Sequence, residues 1–487
     1  MQESFVHNKD LGSIAGRLDG RTVSSSCWNA IFPNKIYLHL VFCLFISMSL
    51  AASIKVYADA PAETKKIQLD NSILNAILRQ LEIQVQIARL CEVVFEIGLV
   101  RAQNRPQLSA QIIGQTSLIS NFDDTINDED SALSRGLGED EDGIFDLNFS
   151  LTKTLFDWDQ YQYSISSKEQ LYAANQYKQR VALSNQLRAL LLLAFDYQHA
   201  RNIVTTQRAT QEQIHDLIVS IEAKGKTGVI ALIDVRRAKL LDIDLEGLVK
   251  LAENELARIE NELITRFGLT PSDIEHFPEF ISQNRPVNLP ADLPVFDVDN
   301  SLSVSALDLE IKAMEDESQA IFLEKRPVIF GKLSSSLFDL RDFEEEYEIT
   351  GEFSVSMPLY DGGTNLARRG ILDWQMSGLT AEKDRIIQLA LNRQVENFSI
   401  ISETKTIIAQ SVEQRESMQR QLDNMLAISG NVAFSELAII QQIIDLSRIQ
   451  NNQQSAYRDI HKIFIDQLDL ADKLLSLFSF DKGAKGC

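Results

Sequence analysis

Apolar and polar residues alternate strictly near the end of the first third of the chain. Phe145, Leu147, Phe149 and Leu151 fall on one side of an extended backbone, and Asp146, Asn148, Ser150 and Thr152 on the other. Period two over that length predicts a strand with one apolar and one wet face. Two environments produce such a strand: a half-buried soluble sheet, or a membrane barrel with a polar lumen. The pattern returns in the second half of the chain. There Tyr347, Ile349, Phe353, Val355 and Met357 share one face, and Glu348, Thr350, Glu352, Ser354 and Ser356 the other. Further strands are expected over 107–119 and 327–339, opened by Arg105-Pro106 and Arg326-Pro327. Proline lacks the amide proton and biases the residue before it to extended geometry, so it ends the preceding helix.

After each alternating stretch the period changes. Residues Tyr161 to Lys224 are 64 consecutive positions without glycine or proline. At ~1.5 Å per residue, one helix of that length measures roughly 95 Å. Lys168, Glu169, Lys178, Arg180, Arg188, Arg201, Arg208 and Glu212 recur along it, so no window reaches the ~20 apolar residues a bilayer span needs. A lone solvated helix this long is poorly stable and must lie against others. Gly225-Lys226-Thr227 reads as a turn. A phosphate loop would need glycine where Ser220 stands. Helix is expected again over Asp234–Arg266, stopped by Gly268 and Pro271. In the second half the spacing predicts a long helix over 363–428, with Leu391, Val395, Phe398, Ile401, Ile408 and Val412 in coiled-coil-like register, and a last helix over 435–480. Residues 67–101 are also expected to be helical.

The two halves are copies of one pattern. Phe353-Ser-Val-Ser-Met-Pro-Leu-Tyr-Asp-Gly-Gly363 aligns with Phe149-Ser-Leu-Thr-Lys-Thr-Leu-Phe-Asp-Trp-Asp159. The segment from Ser429 to Glu436 aligns with that from Thr227 to Asp234. Each half therefore reads helix, strand, loop, strand, very long helix, turn, long helix. Four strands cannot close a barrel of useful bore, for which about eight is the minimum, so several chains must pool them.

Composition narrows the partners. The net charge of -22 disfavours nucleic acid and favours cations or basic surfaces. Cys27, Cys43, Cys91 and Cys487 form no framework or metal pattern. None of His7, His39, His199, His215, His276 and His461 has a partner at metal-ligand spacing. No nucleophile elbow or dinucleotide fingerprint is present, so no enzyme and no cofactor is expected. The acidic loop 121–143 lacks the spacing of a calcium loop. At the N-terminus a polar extension over 1–34 precedes Lys35, the apolar run Ile36–Ala52 and a small-x-small site at Ala58-Asp59-Ala60. That is the layout of a secretory signal, with an uncleaved anchor as the alternative.

At this point the chain resembles the TolC family of outer-membrane efflux and secretion proteins, over roughly residues 67–480. The resemblance rests on the strand-to-helix motif Pro358-Leu359-Tyr360-Asp361-Gly362-Gly363, on the turn segment Thr227 to Val235, and on the order of the elements. It implies a mainly α protein with membrane β: two tandem repeats of long α-helical hairpins forming a periplasmic tunnel. Four strands per chain would enter a 12-stranded barrel shared by a homotrimer. The expected division is 1–60 extension and signal, 61–268 first repeat, 269–300 linker, 301–480 second repeat and 481–487 tail.

The resemblance further implies a passive exit duct for small molecules or type I secretion, working with a periplasmic adaptor and an inner-membrane transporter. Its acidic gate positions fall on Asp234 and Glu436. The family's arginine and further acid near the second tip are replaced by Val432 and Ile439. Gly228, Val229, Gly430 and Asn431 are the candidates for hairpin-tip turn and adaptor contact. A secreted coiled-coil scaffold or adhesin is the competing reading, and uninterrupted apolar strand faces tell the two apart. Lys153, on the predicted apolar face, speaks mildly against the channel, but it stands near the strand end.

Overall fold

The computed structural model describes residues 68–115, 144–277, 293–337, 347–428 and 436–478. In chain order the elements are α1 (Gln68–Leu78), α2 (Leu81–Gln103), β1 (Gln107–Gln115), β2 (Ile144–Phe156), α3 (Gln160–Lys226), α4 (Leu232–Phe267), α5 (Pro271–Glu275), α6 (Leu302–Leu323), β3 (Val328–Leu337), β4 (Tyr347–Ser356), α7 (Thr364–Ile428) and α8 (Glu436–Leu470). A short 3-10 turn follows over Leu475–Phe478. The signal region, the acidic loop, residues 116–119 and the second hairpin tip lie outside the described residues.

The two long helices form as the glycine- and proline-poor stretches predict, with 67 residues in α3 and 65 in α7. Neither stands alone. The helix α3 packs along α2, α4, α6 and α8, and α7 along α6 and α8. One apolar cluster joins Leu187, Leu190, Ala194 and Tyr197 of α3 to Ile259, Leu263 and Phe267 of α4 and to Phe464 and Leu468 of α8. A second joins Ile214, Ile218 and Ile221 of α3 to Val235 and Leu245 of α4, Leu422 of α7 and Ile439, Ile440 and Ile443 of α8. Interdigitated stripes of this kind give a very long helix its stability.

Several details depart from the sequence pattern. The helix expected over 67–101 is two helices, broken at Arg79-Gln80 with no glycine or proline to mark the break. Gln80 is extended (φ -62°, ψ 137°), and its side-chain amide donates to the carbonyls of Ala76 at 3.2 Å and of Arg266 at 2.8 Å. The break lets Ile77 and Ile83 both bury. Part of the stretch expected as linker packs into the core. There α5 opens with a capping box in which the Thr270 hydroxyl accepts from the Asp273 amide and the Asp273 carboxylate accepts from the Thr270 amide. Ile274 and Phe277 are buried beneath it. Further on, Gln467, wholly buried in α8, donates to the Pro294 carbonyl at 2.6 Å and accepts from Asn397 at 3.1 Å. His199 is packed, with its Nε2 3.4 Å from the Ser455 hydroxyl. Burial first, and Arg458 second, hold its pKa below the usual histidine range.

The chain end of α8 is tied to the start of α6. Asp472 takes the left-handed conformation (φ 54°), and the Lys473 amide donates back to Leu468. The Asp472 carboxylate then accepts from the Leu302 amide at 2.9 Å, capping α6 from another element. Burial pushes the Asp472 pKa up to about 6, against the lowering pull of the Leu302 amide and the Ser301 hydroxyl.

Candidate functional site

The four strands form one antiparallel sheet in the order β1-β2-β3-β4. Its register aligns the two faces read from the sequence. On one face Leu108, Ala110 and Ile112 of β1 stand opposite Leu151, Phe149 and Leu147 of β2. The same face continues through Leu333 and Leu337 of β3 to Tyr347, Ile349, Phe353 and Val355 of β4. On the other face Ser109 and Gln111 oppose Ser150 and Asn148, and Ser109 hydrogen-bonds Ser150 at 2.8 Å. Lys332, between Thr152 and Glu352, and Ser334, between Ser150 and Thr350, continue that polar face. Among the described residues nothing covers the apolar face of β4: Phe353 is 82% and Val355 68% exposed. Among the described residues β1 and β4 are unpaired along their outer edges. A bulge at Thr154/Phe156 adds Leu155, which lies against Gly331 so closely that a Cβ there would meet Leu155 Cδ1 at 3.2 Å.

Both repeats turn from strand to helix through the same corner. In the second, Gly362 and Gly363 have φ 64° and 85°. The Asp361 carboxylate accepts from the Gly363 amide at 2.9 Å and the Asn365 amide at 3.2 Å, which hold its pKa below the usual carboxylate range. In the first repeat Asp157 likewise accepts from the Tyr161 amide at 3.0 Å. The positions of the glycine pair are occupied by Trp158 and Asp159, yet both keep the left-handed backbone, at φ 57° and 67°. Trp158 is held there from three sides. Its indole N–H donates to the Pro327 carbonyl at 2.7 Å, Phe156 meets it edge-on at 5.0 Å, and the Arg326 guanidinium lies 5.8 Å from its ring centroid. The sequence pattern missed these supports, although an aromatic at a glycine position was a signal for them. Leu359 and Tyr360 are exposed at the matching corner of the second repeat.

At the first hairpin tip, α3 ends in a Schellman turn: the Gly228 amide donates to Gly225 and the Val229 amide to Lys224. Gly228 has φ 76°, as the turn reading requires, and Val229 is exposed. Gly225 serves a different need. A Cβ there would meet Val235 Cγ2 at 2.5 Å, so its bareness lets α3 and α4 close on each other. Gly430 and Asn431 lie outside the described residues.

The two candidate gate acids have different surroundings. Asp234 sits in the first turn of α4, half-buried, with Arg237 of its own helix 3.7 Å away. Glu436 opens α8 with its side chain 15% exposed, and its Oε1 accepts from the Ser220 hydroxyl at 2.9 Å and from the Lys224 ammonium, both on α3. Glu436 thus ties the start of the last helix to the foot of the first long one. Ser220 and Lys224 share a helix face at i,i+4, but a partner 212 residues away leaves no mark in the sequence.

Among the described residues no helix is long and apolar enough to cross a membrane, and no group of His, Cys, Asp and Glu is placed to hold a metal.

This combination of very long paired helices and a two-faced sheet is a TolC-like fold. Solved structures share it over most of their length. CusC, studied for transmembrane channel formation, matches 87% of this chain and 95% of its own at 16% identity, with a TM-score of 0.66. A membrane protein from Pseudomonas aeruginosa matches 88% and 99% at 14% identity and 0.68. The outer-membrane protein VceC from Vibrio cholerae matches 84% and 96% at 14% identity and 0.63. No protein-family model and no curated protein sequence matches the chain.

Proposed function

We propose that the chain is one protomer of a homotrimeric outer-membrane channel-tunnel, a passive exit duct reaching into the periplasm. The observation that carries this reading is the sheet, which gathers most of its large apolar residues on one face and most of its polar residues on the other, with the outer edges of β1 and β4 unpaired among the described residues. A soluble scaffold would bury such an apolar face. A barrel shared between chains turns it to lipid, keeps the polar face on water and leaves no edge unpaired. Exposed apolar stripes on the helices support the same assembly: Leu240, Ile243 and Leu251 on α4, and Leu366, Trp374 and Val395 on α7, need neighbours that the described residues of one chain do not supply.

The duct serves efflux of small molecules or type I secretion, and its energy comes from an inner-membrane transporter linked through a periplasmic adaptor. Gly228, Val229, Gly430 and Asn431 are the adaptor-facing candidates. Asp234 contributes three like charges to a narrow tip ring, and Glu436 acts in the gate through its tie to Lys224. Cations are the favoured ions. No catalytic role, cofactor or nucleic-acid partner belongs to this reading.

Purified protein in planar bilayers is expected to conduct and to prefer cations. Well-folded trimer that leaves the bilayer silent would end the proposal.

A further inference from the structure

We propose that the helix-proximal end of the sheet is a seat for anionic phospholipid headgroups, formed by Arg105, Lys153 and Arg326 beside Trp158. It rests on the barrel reading above. The strands β1, β2 and β3 are neighbours, and each brings one cation to the same end of the sheet. Arg105 stands two residues before β1, Lys153 pairs with Gly331 near the close of β2, and Arg326 stands two residues before β3. All three are exposed. Among the described residues none has a carboxylate within ion-pair distance.

The acids of this corner do not compensate them. Asp157 and Asp361 are committed to helix amides, and Asp361 also lies 3.9 Å from Lys325. Glu324 is engaged by Arg368 at 3.4 Å, and Asp159 caps nothing. A band of uncompensated cations in a chain of net charge -22 points to an anionic partner at that level.

The level itself identifies the partner. Lys153 lies on the apolar face with Phe149 and Leu151, so its stem runs along lipid and its ammonium reaches the headgroups. Trp158, amphipathic and anchored by its indole N–H, marks the same boundary. Guanidinium groups pair with phosphate oxygens in a planar, bidentate fashion. Each cation near an anionic lipid surface corresponds to a roughly five-fold change in binding.

The test uses the full chain reconstituted in phosphatidylcholine vesicles with a minority of phosphatidylglycerol. The lipid retained by the extracted protein is then quantified by mass spectrometry. Wild type is expected to hold phosphatidylglycerol several-fold above its bulk fraction. The triple variant Arg105→Gln, Lys153→Gln, Arg326→Gln is expected to hold it at the bulk fraction, and Lys153→Arg to keep the enrichment. If the triple variant does not insert, Arg326→Gln and Lys153→Gln alone must each reduce the enrichment several-fold. Wild type that inserts and conducts without enrichment, or variants that keep it, overturn the lipid seat and leave the channel standing. Wild type that enters no vesicle overturns both.

Discussion

Trp158 and Asp159 hold a backbone that glycine adopts freely and that costs other residues about 1 kcal/mol or more. Trp158 recovers that cost through its contacts to Pro327, Phe156 and Arg326, whereas Asp159 makes no cap. Asp159→Gly is therefore expected to raise the melting temperature, by ~0.5–1 kcal/mol of stability, while Gly363→Ala lowers it by a similar amount. Equal melting of both variants and wild type would remove the strain argument.

Asp472 makes a pH prediction. Its folded pKa of about 6 lies above the ordinary carboxylate value, so the folded state favours the protonated acid. The stability this confers is fully present below the ordinary value of 3.8 and is lost as pH rises through about 6. Asp472→Asn keeps an acceptor for the Leu302 amide and carries no charge. It is expected to be more stable than wild type at pH 8 by about 1–2 kcal/mol, after allowance for solvent screening, with the difference vanishing below pH 4. Denaturant melts at the two pH values check this. At this scale little was legible in advance: the glycine pair and its turn could be read, but the cap offered by Asp472 to a helix 170 residues away could not.

Secondary-structure elements were the most legible level. The long helices follow from the absence of breakers, and the strand faces from period two. The break at Gln80 was not legible, because a tertiary hydrogen bond to Arg266 supplies what glycine or proline would otherwise signal. Nor was the reason for Gly225, which is the approach of Val235. The tie between α3 and α8 makes a prediction here. Lys224→Ala and Glu436→Ala are expected to be non-additive, with a coupling of about 0.5–1 kcal/mol in a double-mutant cycle of stability. Each is also expected to raise resting conductance. Zero coupling would show that the ion pair does not hold the helices together.

For the whole molecule, the two faces of the sheet make opposite predictions. Phe149→Arg places a charge on the apolar face and is expected to reduce membrane insertion by about 2–4 kcal/mol, whereas Ser150→Arg on the polar face inserts normally and changes conductance. Insertion yield in vesicles and single-channel recording separate the two, and equal insertion of both variants would refute the face assignment. The sequence alone determined the duplication, the length of the helices and the two-faced strands, because each depends on local periodicity. Only the tertiary structure decided which carboxylate meets which cation at the tip, where the first helix breaks, and how Trp158 occupies a glycine's place. Those features depend on side chains far apart in the chain coming within a few ångströms, and spacing along the chain carries no record of that.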